Sequence, residues 1–232
     1  MELIGQGLAE ALRRLLTLDP DVVEAAGTSL QVSGSAVALS LAAGLPAGVG
    51  LALARFRGRR LLLALVNTGM GFPPVVVGLF VGVLIWRSGP LGQLDLFCTR
   101  GAMIGAQFLI AVPEVVGLTV VAVQALDPLL GIQLKALGAD RRQSFFLLVQ
   151  EARLPLLTAA MAGFGAVISE VGASLLVGCN IRGETRILTT AIVFEAGRGE
   201  FGTAFALAAI LLVLIFVVNL VITWVQQRPR PL

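Results

Sequence analysis

The chain alternates between long apolar stretches and short charged connectors. Segments 29–54, 61–86 and 203–227 contain no charged residue, 101–126 contains only Glu114, and 154–178 only Glu170. Each is 25 or 26 residues long, and about 20 apolar residues suffice for a helix to cross the hydrocarbon core. Lipid offers a backbone no hydrogen-bond partner, so each segment must close its hydrogen bonds internally as a helix. The pattern therefore predicts an all-α integral membrane protein with about five transmembrane helices, forming one membrane domain over residues 29–227. Residues 3–18 carry apolar side chains at helical spacing around Arg13 and Arg14. This predicts an interfacial amphipathic helix within an N-terminal segment, residues 1–28. The same segment mixes acids and bases ahead of any long apolar run, unlike a cleavable signal peptide. Residues 228–232 are left as a tail.

Composition agrees with lipid as the main solvent. The 232 residues are 57% hydrophobic and 13% charged, where soluble domains carry about 25% charged residues. The net charge of +3 does not point to nucleic acid, because the 16 arginines and single lysine are spread between apolar segments rather than gathered on one face. Their distribution does orient the chain. Residues 55–60, 127–153 and the tail hold ten of the 17 basic residues and three acids, whereas the opposite connectors hold seven bases and nine acids. The positive-inside bias places the first set in the cytoplasm, with the N-terminus outside and the C-terminus inside. Trp86 and Trp224 stand near segment ends, where an indole reaches the headgroups.

Two connectors exceed a turn. In 127–153, Leu134, Leu137, Phe145, Leu148 and Val149 suggest short amphipathic helices interrupted at Gly138. Asp140 with Gln143 has the spacing of a capping box, so the second helix is expected from Arg141, and Pro155 suits the first turn of the following span. In 179–202 the apolar run 187–194 is too short to span and reads as re-entrant or interfacial.

Enzyme chemistry finds no support. There is no P-loop motif around Lys135, histidine is absent, and all five aspartates lie in connectors. No catalytic residue and no metal site is expected. Cys98 and Cys179 both fall on the outer side, and nothing in their spacing decides whether they pair. Glu114 and Glu170 are carboxylates within spans, each with a structural and a path-lining reading. Glu170 can snorkel or pair with Arg182, or act in a gate. Pro73 and Pro74 interrupt a span, either as a packed kink or as backbone lining a cavity. Arg182 and Arg186, beside Asn180 and Thr185, offer donors suited to an oxyanion. Loop ion pairs with Glu184 or Glu195 are the alternative.

Several stretches resemble known permeases. Leu137-Gly138-Ala139 followed by Phe145 resembles the "EAA" loop of ABC-importer permeases, with Ile132-Gln133-Leu134 standing where Glu-Ala-Ala would be. Phe72-Pro73-Pro74-Val75-Val76-Val77-Gly78-Leu79, Gln150-Glu151-Ala152-Arg153, Gly163-Phe164-Gly165, Ile168-Ser169-Glu170-Val171-Gly172-Ala173 and the run from Asn180 to Ile192 resemble the tungstate-type permeases. Cys179 stands where that family tends to have a glycine. The resemblance, over about residues 28–219, implies a type I ABC-importer permease fold. It further implies a homodimer of this chain, two ATP-binding cassette subunits carrying the ATP and Mg2+, and an extracytoplasmic oxyanion-binding protein. The chain itself would bind no cofactor. The implied cargo is a tetrahedral oxyanion, tungstate first, with molybdate, sulfate or phosphate as alternatives; a non-transporting membrane scaffold or sensor is the reading from another class. In that scheme Leu137, Gly138, Ala139, Asp140 and Phe145 couple to the ATPase. A helix at 137–146 would dock there, with Phe145 as its buried aromatic anchor. Pro73, Pro74, Glu170, Asn180, Arg182, Thr185 and Arg186 would line or gate the path.

Overall fold

A computed structural model describes residues 19–227 together with positions 5, 9, 10, 12–14, 16 and 17. Half of the expected amphipathic helix at 3–18 therefore lies outside the described residues, and the tail at 228–232 entirely so. Among the described residues the regular structure is helical: α1 (Pro20–Leu53), α2 (Arg59–Met70), α3 (Pro74–Ile85), α4 (Arg100–Gln124), α5 (Pro128–Ala136), α6 (Arg141–Glu151), α7 (Arg153–Ile168), α8 (Gly172–Gly178), α9 (Leu188–Gly197) and α10 (Phe201–Gln226), with a short 3-10 turn at Gly92–Leu94.

The helices α1, α4 and α10 are each long and apolar enough to span a membrane, and the bent pairs α2–α3 and α6–α7 raise the number of spans to as many as five. Two spans differ from the sequence expectation. The one at 61–86 is cut at Gly71–Pro73, where α2 and α3 meet at 99°. Neither Pro73 nor Pro74 can donate to the preceding turn, so the helix stops at Met70 and restarts with Pro74 at its first position. The one at 154–178 ends its regular helix at Ile168, and α8 adds only two further turns. In turn, α1 starts nine residues before the first expected span, because Asp19 accepts from the Asp21 N–H and Pro20 opens the helix.

Apolar burial drives helices together weakly in lipid, so close approach depends on small residues. Gly44 and Gly48, one turn apart on α1, face α4. A Cβ on Gly44 would sit 2.7 Å from Val115 Cγ1, and one on Gly48 2.5 Å from Thr119 Cβ. With α7, these two helices form the centre of the bundle. Its core runs in layers from Val32, Met103 and Val177 at one end, through Val37, Ala111 and Phe164, to Val49, Val123 and Leu148 at the other. The first is called the disulfide end below, the other the hairpin end. By contrast, α10 buries only Ala204, Ala206, Leu207 and Ile210 and leaves Leu212, Phe216 and Leu220 uncovered, as suits a helix that faces lipid along most of its length.

Candidate translocation and coupling sites

The two breaks in the spans come together. A Cβ on Gly78 of α3 would lie 2.4 Å from the Cα of Ala173 in α8, and one on Gly172 would lie 2.3 Å from Val75 Cγ2. Thus the Pro73-Pro74 segment and the Glu170-Val171-Gly172-Ala173 segment, remote in sequence, pack backbone against backbone. Both mark places where a helix leaves and re-enters its path, the arrangement that supplies backbone donors and acceptors at membrane depth.

Glu170 holds this junction. Its side chain is 5% exposed and accepts from the N–H of Ala173 at 2.7 Å, the N–H of Ser174 at 3.1 Å and the Ser174 hydroxyl at 3.0 Å. It therefore caps the start of α8, where orphan N–H groups and the helix dipole both favour a carboxylate. Gln107 of α4 donates to Ser174 Oγ at 3.2 Å, and Thr189 of α9 donates to the Glu170 carbonyl at 3.0 Å. Neither a snorkelling Glu170 nor its pairing with Arg182 survives this geometry. The carboxylate is turned inward, and Arg182 pairs instead with Asp21, its Nε 3.0 Å from Asp21 Oδ1. Gln107, Ser174 and Thr189 were absent from the sequence-level site. Their signal was available, as polar side chains inside apolar runs.

At the disulfide end, Cys98 and Cys179 are bonded to each other, with Cα atoms 5.1 Å apart. This ties the α3–α4 connector to the end of α8. Asn180 and Thr185 then staple the following loop. Asn180 Oδ1 accepts from the Thr190 hydroxyl at 2.9 Å, while Thr185 Oγ1 accepts from the Ile181 N–H at 2.9 Å and donates to the Gly178 carbonyl. Leu188 at the start of α9 donates to Ser29 Oγ of α1 at 2.9 Å. Arg100, just outside the apolar segment and overlooked for that reason, donates to the Glu184 and Gly183 carbonyls and to Gln31 Oε1. The expected pairs of Arg182 or Arg186 with Glu184 or Glu195 do not form among the described residues. Glu195 pairs with Arg198, and Arg186 lies over the Phe194 ring at 4.9 Å. Further along, Arg13 and Arg14 hold the Glu10 carboxyl down at about 2 through direct hydrogen bonds.

At the hairpin end, α5 and α6 form the two helices expected from 127–153. Gly138 takes φ +76° in the turn, a conformation open to glycine at no steric cost. Asp140 and Gln143 form the reciprocal cap, at 2.7 and 2.9 Å, so α6 starts at Arg141. The docking helix expected over 137–146 is corrected accordingly: 137–140 is a turn, and the helix lies beyond it. Phe145 also differs from expectation. It packs inward with Val49, Val123, Leu134 and Leu148, because it shares a face with Leu148 at helical spacing. Leu137 (83%) and Phe146 (61%) are exposed apolar groups at the turn side of the hairpin, as Leu129 and Ile132 are on α5. Leu137 and Phe146 flank an open groove of about 510 Å3 with Ala139, Asp140, Arg142 and Leu147.

Two broken spans that meet within a membrane bundle, with a capped helical hairpin at one end of it, are the features of an integral-membrane transport subunit of the type I permease fold. The chain belongs to the family of binding-protein-dependent transport system inner membrane components, whose profile matches residues 44–231. It is 43% identical over 203 residues to a probable anion ABC transporter permease of Haloferax volcanii, covering 85% of this chain and 88% of that one. It is 36% identical to the tungstate uptake system permease of Peptoclostridium acidaminophilum, over 98% of this chain and 100% of that one. A solved amino acid ABC transporter with histidines shares the fold at TM-score 0.66, over 93% of this chain and 97% of that one, at 15% identity. The chain is thus an ABC-transporter permease subunit of the inner membrane.

Proposed function

We propose that this chain forms the membrane path of an ABC importer that moves a tetrahedral oxyanion, tungstate foremost, into the cell by alternating access. The observation that carries the reading is end-to-end similarity to a permease named for tungstate uptake. The charge pattern supports it. A dianion would be repelled by a carboxylate-lined path and held too tightly by a deep lysine or arginine, and segments 29–54, 61–86, 101–126, 154–178 and 203–227 contain no basic residue. Neutral donors at the broken helices suit transit, and Arg182 and Arg186 near the disulfide end suit capture.

In this reading the disulfide end faces outward and receives the oxyanion from a binding protein. The hairpin end faces the cytoplasm and seats an ATP-binding cassette subunit, which supplies ATP, Mg2+ and hydrolysis. Two copies of the chain enclose the path, with N-termini outside and C-termini inside a prokaryotic cytoplasmic membrane. Leu137 and Phe146 are the groups best placed to contact the ATPase.

The test is uptake into proteoliposomes containing this chain, its ATPase and its binding protein. ATP-dependent tungstate accumulation is expected, with molybdate, sulfate and phosphate as competitors that rank the cargo. No ATP-dependent accumulation of any of the four would favour the scaffold or sensor reading. Orientation is tested on intact cells after mild reduction. A membrane-impermeant maleimide should label Cys98 and Cys179 without lysis, and labelling only after lysis would invert the topology.

A further inference from the structure

A cavity of about 230 Å3 lies where the start of α1, the loop before α9, α9 itself and the start of α10 converge. Four arginines line it, Arg14, Arg182, Arg186 and Arg198, against two carboxylates, Asp21 and Glu195. Three of the arginines are already matched: Arg14 to Glu10 and Asp19, Arg182 to Asp21, and Arg198 to Glu195. Arg186 is not. Among the described residues no carboxylate pairs with it, its Nε is buried without a hydrogen-bond partner, and its guanidinium rests on the Phe194 ring. With an aromatic face on one side and three further guanidinium groups around the same space, half-buried Arg186 has one desolvated, unsatisfied donor, its Nε, and no carboxylate against it among the described residues. Such a donor is costly unless a ligand completes it. The space is several times what one water needs, enough for a four-oxygen anion with part of its hydration. A guanidinium fork matches two oxygens of a tetrahedral oxyanion at once.

We infer that this cavity binds a tetrahedral oxyanion group, with Arg186 as the primary ligand and Arg198 and Arg182 completing the positive field. The group is either a soluble oxyanion or the phosphate of an anionic lipid. The second source has a physical basis, since α10, which walls one side, is largely uncovered along its length. The inference deepens the capture role proposed for Arg182 and Arg186 and rests on that reading for its ligand class. It makes Arg186 the group that engages the ion, with Arg182 and Arg198, held by Asp21 and Glu195, contributing field alone.

The experiment is thermal unfolding of the full-length chain in phosphatidylcholine nanodiscs. Sodium tungstate is titrated against sodium chloride at constant ionic strength, and the series is repeated in nanodiscs containing phosphatidylglycerol. Tungstate is expected to raise the wild-type midpoint saturably. Arg186→Gln should weaken the apparent affinity at least about tenfold, the loss of a charge-assisted pair, and Arg198→Gln should weaken it less. Without ligand, Arg186→Gln should unfold no earlier than wild type, because it removes an unpartnered charge. A stabilisation seen only with phosphatidylglycerol, and lost in Arg186→Gln, would support the same site with a lipid phosphate as its occupant. An unliganded Arg186→Gln that melts early, or a ligand response that survives it in both nanodiscs, would overturn the proposal and make Arg186 structural. Uptake separates the two readings. Transport by a wild-type chain that shows no such binding would sink this site alone, and binding without transport would sink the import reading alone.

Discussion

The two ends of the molecule are held in different ways. At the disulfide end, polar groups far apart in sequence are bonded to one another: Cys98 to Cys179, Asp21 to Arg182, Ser29 to Leu188, Gln107 to Ser174, and Thr189 to the Glu170 carbonyl. At the hairpin end, the cap formed by Asp140 and Gln143 is local, and the hairpin meets the bundle through an apolar cluster of Val49, Val123, Leu134, Leu148 and Phe145. Directional bonds fix a shape, whereas a small apolar contact lets an element shift and re-seat. The disulfide end is therefore a braced platform, and the hairpin is a surface free to answer a partner. Changes that test this contrast differ in size and in where their effects are felt.

The largest effect is expected where the braced end has no slack. Gly78→Leu places a side chain against the Ala173 backbone, 2.4 Å from its Cα even at Cβ. Backbone cannot rotate out of the way as a side chain can, so a loss of about 3 kcal/mol or more is expected, read as a lower unfolding midpoint in detergent. Next comes Glu170→Ala, which leaves the Ala173 and Ser174 N–H groups without an acceptor in a buried setting. A loss of about 2–3 kcal/mol is expected, with Glu170→Gln losing less because one carbonyl oxygen can still accept. If Glu170→Ala unfolds like wild type, water or the backbone must satisfy α8, and the bracing is weaker than its geometry implies.

At the hairpin end, adjacent phenylalanines should separate stability from docking. Phe145→Ala removes part of the apolar seat of the hairpin, and about 2 kcal/mol of stability with it. Phe146→Ala touches solvent-exposed surface and should stay within about 0.5 kcal/mol. Yet it should cost about 2 kcal/mol of association with the ATPase, measured by co-purification. Equal association of both variants with the ATPase would move the docking surface away from the groove. Gly138→Val comes next in size, because a β-branched residue at φ +76° costs about 1–2 kcal/mol.

How much of this was legible in the sequence follows from the range of each interaction. The long apolar helices, the capping box at Asp140 and Gln143, and the special turn at Gly138 depend on neighbours within a few residues, and sequence patterns report those. The proline break at Pro73 and Pro74 was legible, but its 99° bend was not, because the angle depends on Gly78 finding Ala173 about a hundred residues later. Glu170 was noticed as a costly charge, yet its partners proved to be backbone N–H groups, which no residue pattern displays. Phe145 and Phe146 show the finest limit. Adjacent and chemically identical, they differ only in which face of α6 meets the bundle, and that depends on Val49 and Val123 from other helices.

The smallest effect tests whether the two ends are independent. Asp140 stands at the N-cap of α6 with extended backbone, φ −72° and ψ 174°, and its carboxylate accepts from the Gln143 N–H while the Gln143 side chain accepts from the Asp140 N–H. Asp140→Ala removes one acceptor outright and leaves Gln143 without its reciprocal partner, a loss of about 1 kcal/mol. That corresponds to roughly fivefold faster local opening, so hydrogen exchange at the amides of Gln143 and Ser144, both bonded to Asp140, should accelerate by about that factor. Asp140→Asn keeps a side-chain oxygen and should change exchange much less. Because the cap is local and α6 meets the bundle through apolar contacts, the amides of Ala173, Ser174 and Leu188 should exchange as in wild type. If they accelerate together with Gln143 and Ser144, opening of the hairpin is coupled to the junction of α3 and α8, and the braced end is part of the moving assembly rather than its fixed frame.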